Sequence, residues 1–252
     1  MPVPARMIAR WWARHRNHLG RLAHGLVFGI AMLIAPLALA GPEQDQAEFF
    51  AALPSDNVHT VRKLLVRGVS PNLVHPEQGP VIVMAAQAKA FGALRALLDS
   101  RITEVNVVNP KGETALMYLA MFGEIDLARM LIGRGAQVNQ PGWTALHYAA
   151  ATGQLGMIRF LVEEQHAYID AASANGTTPL MMAAREGQVR AARLLAELGA
   201  DPSLRNQAGL GAPEYFLRRD QPDEARYLAD KASEFLRRYG TRESPVPAAT
   251  RP

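Results

Sequence analysis

The chain has 252 residues, a formal net charge of +4, 49% apolar residues and no cysteine. Such an apolar fraction excludes an intrinsically disordered chain. The missing thiols exclude disulfides, thiolate zinc sites, iron–sulfur clusters and a cysteine nucleophile within it. The positive charge would by itself suggest nucleic acid or an anionic membrane as a partner, so its position along the chain decides what it means.

The first forty residues carry the positive charge. They contain five arginines and no acidic residue, whereas the rest of the chain has 22 basic and 23 acidic residues, a net charge of −1. Behind the arginines, residues 25–40 are uncharged and close on Ala38-Leu39-Ala40. A basic start, an apolar stretch and small terminal residues are the order of a secretory signal peptide. We therefore predict a signal peptide over residues 1–40, cleavage after Ala40 and no nucleic-acid partner.

The predicted location is the periplasm of a Gram-negative bacterium. The basic part is long for a signal peptide, which leaves open an uncleaved anchor that holds the protein on the inner membrane, facing the periplasm. Only in that case would the protein contact a membrane. A mitochondrial transit peptide would be rich in serine, but the first serine of the chain is Ser55.

An internal repeat of about 33 residues fills the rest of the chain. Glycines recur at positions 79, 112, 142, 176 and 209, with spacings of 33, 30, 34 and 33 residues. The middle three open the phrases GETALMYLA at 112–120, GWTALHYAA at 142–150 and GTTPLMMAA at 176–184. A closing phrase appears as GVSPN at 68–72, GAQVN at 135–139 and GADPS at 199–203. Because several positions repeat in register, the pattern indicates stacked copies of one structural unit.

These phrases resemble those of the ankyrin repeat family, in which a G-x-T-P-L-H-x-A-A phrase and an apolar helix precede a G-A-D-x-N phrase. The resemblance covers residues 44–240 and extends to exported bacterial members with a signal peptide. It implies an all-α solenoid of stacked helix–turn–helix units with extended finger loops. We place the units at about 44–75, 76–108, 109–139, 140–172 and 173–206, a C-terminal cap at 207–240 and a disordered tail at 241–252.

Local signals support the same architecture. Thr114, Thr144 and Thr178 can each cap a first helix, because a threonine hydroxyl accepts a hydrogen bond from an amide of the first turn. Helices often end at a left-handed residue, and glycine follows the last apolar residue of a second helix at Gly68, Gly135 and Gly199. The charge-rich residues 222–239 predict a long amphipathic helix that covers the last unit.

No group of residues is arranged for catalysis. The four histidines beyond residue 40 are 16, 72 and 19 residues apart, so none forms a ligand pair at helical spacing. His147 occupies the histidine of the family phrase, and the resemblance implies hydrogen bonds that brace the neighbouring finger. Met84, Met117 and Met181 replace it in other units, which puts that bracing in doubt there. We predict no enzymatic activity, no cofactor and no metal site.

The resemblance implies that a partner binds the concave face, which is formed by finger tips and the exposed end of each first helix. It assigns partner binding to Lys89, Lys111, Glu113, Met121, Phe122, Trp143, Thr152, Thr177, Arg185 and Glu186. Phe122 and Trp143 stand out, because large aromatic residues are enriched among interface hot spots. The charged residues would form a polar rim. The finger before Trp143 is short, so the indole could equally fill that gap, and both interpretations stay open.

The predicted function is that of a monomeric, non-enzymatic scaffold that binds another exported protein. An alternative is an accessory or protective factor for a periplasmic enzyme, for example in oxidant defence. A secreted effector is a third interpretation, disfavoured because such proteins usually carry a different export signal.

Overall fold

The computed structural model describes residues 41–240. The predicted signal peptide with its cleavage after Ala40, the alternative membrane anchor and the predicted tail at 241–252 lie outside the described residues. Within residues 41–240, no helix is long and apolar enough to cross a membrane.

Six consecutive pairs of helices make up residues 41–240. In chain order they are α1 (Pro42–Ala52) and α2 (Val58–Val66), α3 (Val81–Gln87) and α4 (Phe91–Asp99), α5 (Ala115–Phe122) and α6 (Ile125–Gly133), α7 (Ala145–Ala151) and α8 (Leu155–Arg159), α9 (Pro179–Arg185) and α10 (Val189–Glu197), and α11 (Ala212–Leu217) and α12 (Pro222–Tyr239). Two short antiparallel strands, β1 (Val74–His75) and β2 (Gly79–Pro80), form the finger before α3. The long last helix has the predicted bounds.

The pairs stack so that like helices are neighbours. The first helices α3, α5, α7, α9 and α11 pack side by side in one layer, and second helices pack against each other in another, as α2 does with α4 and α10 with α12. A hydrophobic core of buried side chains lies between the layers from Phe49 to Leu228. A single pair could not bury its apolar face alone, so stacking supplies the core. The predicted all-α solenoid is confirmed.

Two of the three predicted threonine caps are present. The Thr144 hydroxyl makes no cap hydrogen bond and instead lies 2.9 Å from His147 Nδ1. The Thr114 hydroxyl accepts from the Met117 amide and the Thr178 hydroxyl from the Met181 amide, at 3.3 Å each. Gly68, Gly135 and Gly199 have φ of 95°, 92° and 100°, in the left-handed region where a side chain is strained.

One helix departs from the sequence expectation. The spacing of Ile158, Leu161 and Val162 predicts a regular second helix, but α8 widens into a π-helical turn over Phe160–Glu164. Phe160 and Leu161 both lie buried in this turn. The guanidinium of Arg129 covers the Phe160 ring, 4.6 Å from its centre.

In the loops after the second helices α2, α4, α6 and α8, one side chain fastens each unit to the next. The Asn72 amide donates to the Ile102 carbonyl while its oxygen accepts from the Glu104 amide, at 2.8 and 2.9 Å. Asn106 and Asn139 repeat the arrangement one unit further on each time. Asp170 also accepts from the next unit, through the Asp201 amide. We call these four side chains the staples.

Candidate functional site

Six of the predicted binding residues lie at turns between a first and a second helix. Together with two arginines of the last turn they form a row, which we call the turn row: Lys89, Met121, Phe122, Thr152, Arg185, Glu186, Arg218 and Arg219. Contacts join consecutive turns along most of this row. The Lys89 ammonium lies over the Phe122 ring, the Thr152 hydroxyl donates to the Met121 carbonyl at 2.9 Å, and Arg219 donates to the Arg185 carbonyl at 3.0 Å.

Glycine lets neighbouring turns approach closely. Gly123 has a φ of 76°, and a Cβ there would lie 2.6 Å from the Gln154 Oε1. The Gln154 side chain uses this space to donate to the Met121 carbonyl at 3.2 Å. Gly153 leaves room in the same way for Gln188 of the next unit. The turn row is therefore held in place by contacts between units.

Phe122 is half-buried at the centre of an aromatic group. Its ring centre lies 6.4 Å from those of both Phe91 and Tyr118. The Lys89 ammonium covers it at 4.4 Å, the distance of a cation–π contact. Met121 beside it is also half-buried. The pair thus offers apolar surface that the protein itself covers only in part.

Glu113 is less exposed than we predicted for a residue of the polar rim. Its carboxylate is half-buried and accepts from the Asn109 amide at 2.8 Å, the Tyr148 hydroxyl at 2.9 Å and the Tyr118 hydroxyl. Burial acts to raise the pKa of Glu113, but these three hydrogen bonds and the charge of Lys111 lower it on balance. Burial, together with the hydrogen bond to Glu113 and its charge, raises the pKa of both tyrosines. Glu113 is therefore a charged acceptor that ties two first helices to one finger.

Thr177 is not available as a surface contact. It is 1% exposed, because the next finger covers it and its amide donates to the Ser173 hydroxyl at 3.1 Å. Its carbonyl accepts from the Ser173 amide and from His147 of the preceding unit. Its predicted place on the binding surface is therefore wrong.

Trp143 is half-buried, with its ring edge-on to that of His147 at 5.1 Å between centres. Its carbonyl accepts from the Gln140 side chain at 3.0 Å. The packing interpretation thus has a definite contact, while part of the indole stays exposed. Lys111, on the preceding finger, is exposed. Arg185 and Glu186 form an exposed ion pair at 2.9 Å.

The bracing role predicted for His147 is confirmed. The ring is completely buried; Nδ1 accepts from the Thr144 amide at 3.1 Å, and Nε2 donates to the Thr177 carbonyl at 3.0 Å. Burial lowers the pKa of His147 to about 4, against the opposing effect of its backbone hydrogen bonds.

Methionine takes over part of this arrangement in another unit. The Met117 sulfur accepts from the Thr114 amide at 3.3 Å, as the histidine nitrogen does for Thr144. A thioether has no proton to donate to the next finger, so only half of the bracing is replaced. In the following finger, the Trp143 carbonyl, which corresponds to that of Thr177, accepts from the Gln140 side chain instead.

Sequence reasoning missed Phe91, Tyr118, Tyr148 and the two arginines of the last turn. Tyr118 follows Met117 in the sequence, and Tyr148 follows His147. Both tyrosines lie on the face of a first helix that is directed toward the fingers. This repeated position could have indicated the tyrosines from the sequence. Their common hydrogen bonding to Glu113 could not be predicted, because Tyr148 lies 35 residues from Glu113.

A surface cleft lies elsewhere. It is a shallow cleft of about 1050 Å³ between the end of α10 and the second half of α12, lined by Tyr227, Phe235 and Tyr239 among others. No group of three or more histidine, aspartate or glutamate side chains within the described residues could hold a metal ion. The cleft brings together no set of groups for chemistry.

The stacked helix pairs, half-exposed aromatic group and finger loops define a helical repeat protein. A family model described as Ankyrin repeats (3 copies) matches residues 49–141 and 137–206, and the chain belongs to the ankyrin repeat family. This family is generally a non-enzymatic fold that mediates protein–protein interaction.

Three relatives agree with this assignment. The chain is 31% identical over 132 residues to the nuclear factor NF-kappa-B p105 subunit of Mus musculus, covering 50% of this chain and 14% of the relative. It is 28% identical over 185 residues to the Gallus gallus protein of the same name, covering 71% and 19%. It is 33% identical over 181 residues to ankyrin repeat and SAM domain-containing protein 6 of Rattus norvegicus, covering 71% and 17%. The chain spans less than a fifth of each relative.

Proposed function

We propose that this protein is a non-enzymatic scaffold that binds another exported protein in the periplasm, through the turn row and the neighbouring fingers. The observation that carries the proposal is the half-buried pair Met121 and Phe122 at the centre of the turn row. Aromatic residues in this kind of setting supply much of the binding energy at protein interfaces.

The opposite layer supports the choice of surface. Charged residues of neighbouring second helices are joined to each other there, in the pairs Arg62–Asp99, Arg129–Glu164 and Arg193–Glu224, with distances of 2.8 to 2.9 Å. These side chains are occupied within the protein. In the turn row, by contrast, Arg185 and Glu186 form the one ion pair found within the described residues.

Site-specific photocrosslinking in cells tests the binding surface. A benzophenone amino acid at the exposed Thr152 should give a discrete crosslinked product, which should disappear when Phe122→Ala is added. The same label at Ile102, which is 69% exposed and lies outside the turn row, is the matched control. Equal crosslinking from Thr152 with and without Phe122→Ala would rule out the proposed surface.

The location is tested by fractionation with N-terminal sequencing of the recovered protein. Release by osmotic shock and a first residue of Gly41 would support a periplasmic protein. Recovery in the membrane fraction with residues 1–40 retained would favour the anchor. Recovery in the cytoplasm would contradict both.

A further inference from the structure

The turn row has an uncharged centre and cationic flanks. Met121, Phe122 and Thr152 carry no charge, whereas Lys89 precedes them and Arg185, Arg218 and Arg219 follow. Three acidic residues lie on the same turns. Glu124 lies two residues after Phe122 and is half-buried. Glu186 is bonded to Arg185, and Asp220 is exposed. The flanks therefore have an excess of positive charge although residues 41–252 have a net charge of −1.

These cations differ from those of the second helices. In the described residues, no carboxylate forms an ion pair with Lys89, Arg218 or Arg219. All three are exposed. The second-helix arginines Arg62, Arg129 and Arg193, by contrast, each reach a carboxylate of the next unit. The turn row thus presents positive charge that no carboxylate of the described residues neutralises in an ion pair.

The backbone of Lys89 distinguishes its turn from the three that follow. Lys89 has a φ of 59°, and the corresponding turn position of the next three units holds Gly123, Gly153 and Gly187, with φ of 76°, 70° and 72°. In the first and last turns this position holds an aspartate, also at positive φ. A lysine in this left-handed conformation is strained, whereas glycine is not. Strained residues concentrate where function over-determines them. A lysine here places its ammonium over the Phe122 ring, next to the apolar centre.

We propose that the turn row binds an extended acidic segment of the partner, an inference that rests on the proposed function. An apolar side chain of that segment packs on Met121 and Phe122, a carboxylate next to it pairs with Lys89, and a further carboxylate pairs with Arg218 or Arg219. Four helix-to-helix steps of about 8–10 Å separate the two flanks, which an extended segment of about 10–12 residues would span. Charge complementarity of this kind selects among partners and speeds their encounter.

A random 12-residue peptide library displayed on phage, selected against the full chain, tests this inference. The expected consensus is an apolar or aromatic residue flanked by aspartate or glutamate. Synthetic peptides of that consensus should lose binding on Phe122→Ala. Lys89→Glu should weaken them about tenfold, since an attraction becomes a repulsion, and added salt should weaken them as well. Arg101→Glu, an exposed arginine outside the turn row, is the matched control and should change little.

The other outcomes are informative. Peptides that depend on Phe122 but show no acidic preference would overturn this inference and leave the proposed function standing. A consensus rich in lysine, or displacement of the acidic peptides by a single-stranded DNA dodecamer at equal concentration, would also overturn it. A library that yields nothing dependent on Phe122 overturns it too, and the photocrosslinking experiment then decides the proposed function separately.

Discussion

His147 and Thr177, thirty residues apart in the chain, are joined by a hydrogen bond of 3.0 Å between the ring Nε2 and the backbone carbonyl. Because a carbonyl oxygen can only accept, Nε2 carries the proton, and Nδ1 is left to accept from Thr144. The ring is therefore neutral and connects the first helix of one unit with the finger of the next.

This geometry predicts a loss of stability between about pH 6.5 and pH 4. The pKa of His147 is lowered to about 4 in the folded protein, from an ordinary 6.5. Below pH 6.5 the unfolded chain binds a proton that the folded chain rejects, so the free energy of unfolding falls until about pH 4 and then levels off. The full loss is about 3 kcal/mol.

Urea unfolding at a series of pH values measures this effect. His147→Gln should be less stable at pH 7 and should show a shallower decline between pH 6.5 and pH 4. His166→Gln, at an exposed position, serves as the control. An unchanged decline in the His147 variant would contradict the neutral buried ring.

Tyr148→Phe should destabilise the protein by about 1–2 kcal/mol at pH 7, because the variant removes a hydrogen bond to the charged carboxylate of Glu113. The pKa of Glu113 is lowered in the folded protein, so its contribution is lost as the pH falls through that pKa. The effect of Tyr148→Phe should therefore shrink below about pH 4.5. Chemical denaturation at pH 7 and pH 3 measures the difference. Tyr168→Phe, 68% exposed, should be neutral at both.

Gly123→Ala tests the contact between neighbouring turns. A methyl group there would displace Gln154 and its hydrogen bond to Met121, in addition to straining the left-handed backbone. Gly112→Ala, with a φ of 77° and no atom within 4 Å of its Cβ, isolates the backbone strain. We expect Gly123→Ala to lower the free energy of unfolding by about 1 kcal/mol more than Gly112→Ala. In a Gln154→Ala background the two substitutions should have equal effects, and a persistent difference would point to another cause.

Lys89→Gly should separate binding from folding. The substitution relieves the left-handed strain and removes one exposed cation–π contact, so thermal stability should stay the same or rise by about 0.5 kcal/mol. Affinity for acidic peptides should nevertheless fall. A lysine with a merely structural role would give the reverse pattern, namely lower stability with unchanged peptide affinity, as measured by calorimetry and fluorescence anisotropy.

The features that could be predicted from the sequence are those that depend on residues close together in the chain. The caps at Thr114 and Thr178, the glycine helix ends and the bounds of α12 follow from residues within one or two turns of each other. The role of His147 also followed, because its place in the phrase fixes both neighbours. The assignments of Phe122 and Trp143 to a binding surface stay predictions.

Other features depended on residues of a different unit. The burial of Thr177 arises from the finger of the next unit, and the half-buried state of Glu113 from two tyrosines on separate helices. The strain at Lys89 was within reach, since aligning its turn with Gly123, Gly153 and Gly187 shows a lysine where glycine is usual. The alignment could not show that the Lys89 ammonium lies over the ring of Phe122.

The staples have a consequence for how such a protein can change in length. The side chains of Asn72, Asn106 and Asn139 each bond to the loop of the following unit. The same local rule could be repeated for any number of copies. A duplicated unit such as residues 109–139 would bring its own staple and its own turn. Gene duplication within the array could thus lengthen the surface, and with it the peptide it accommodates, without redesigning any existing junction.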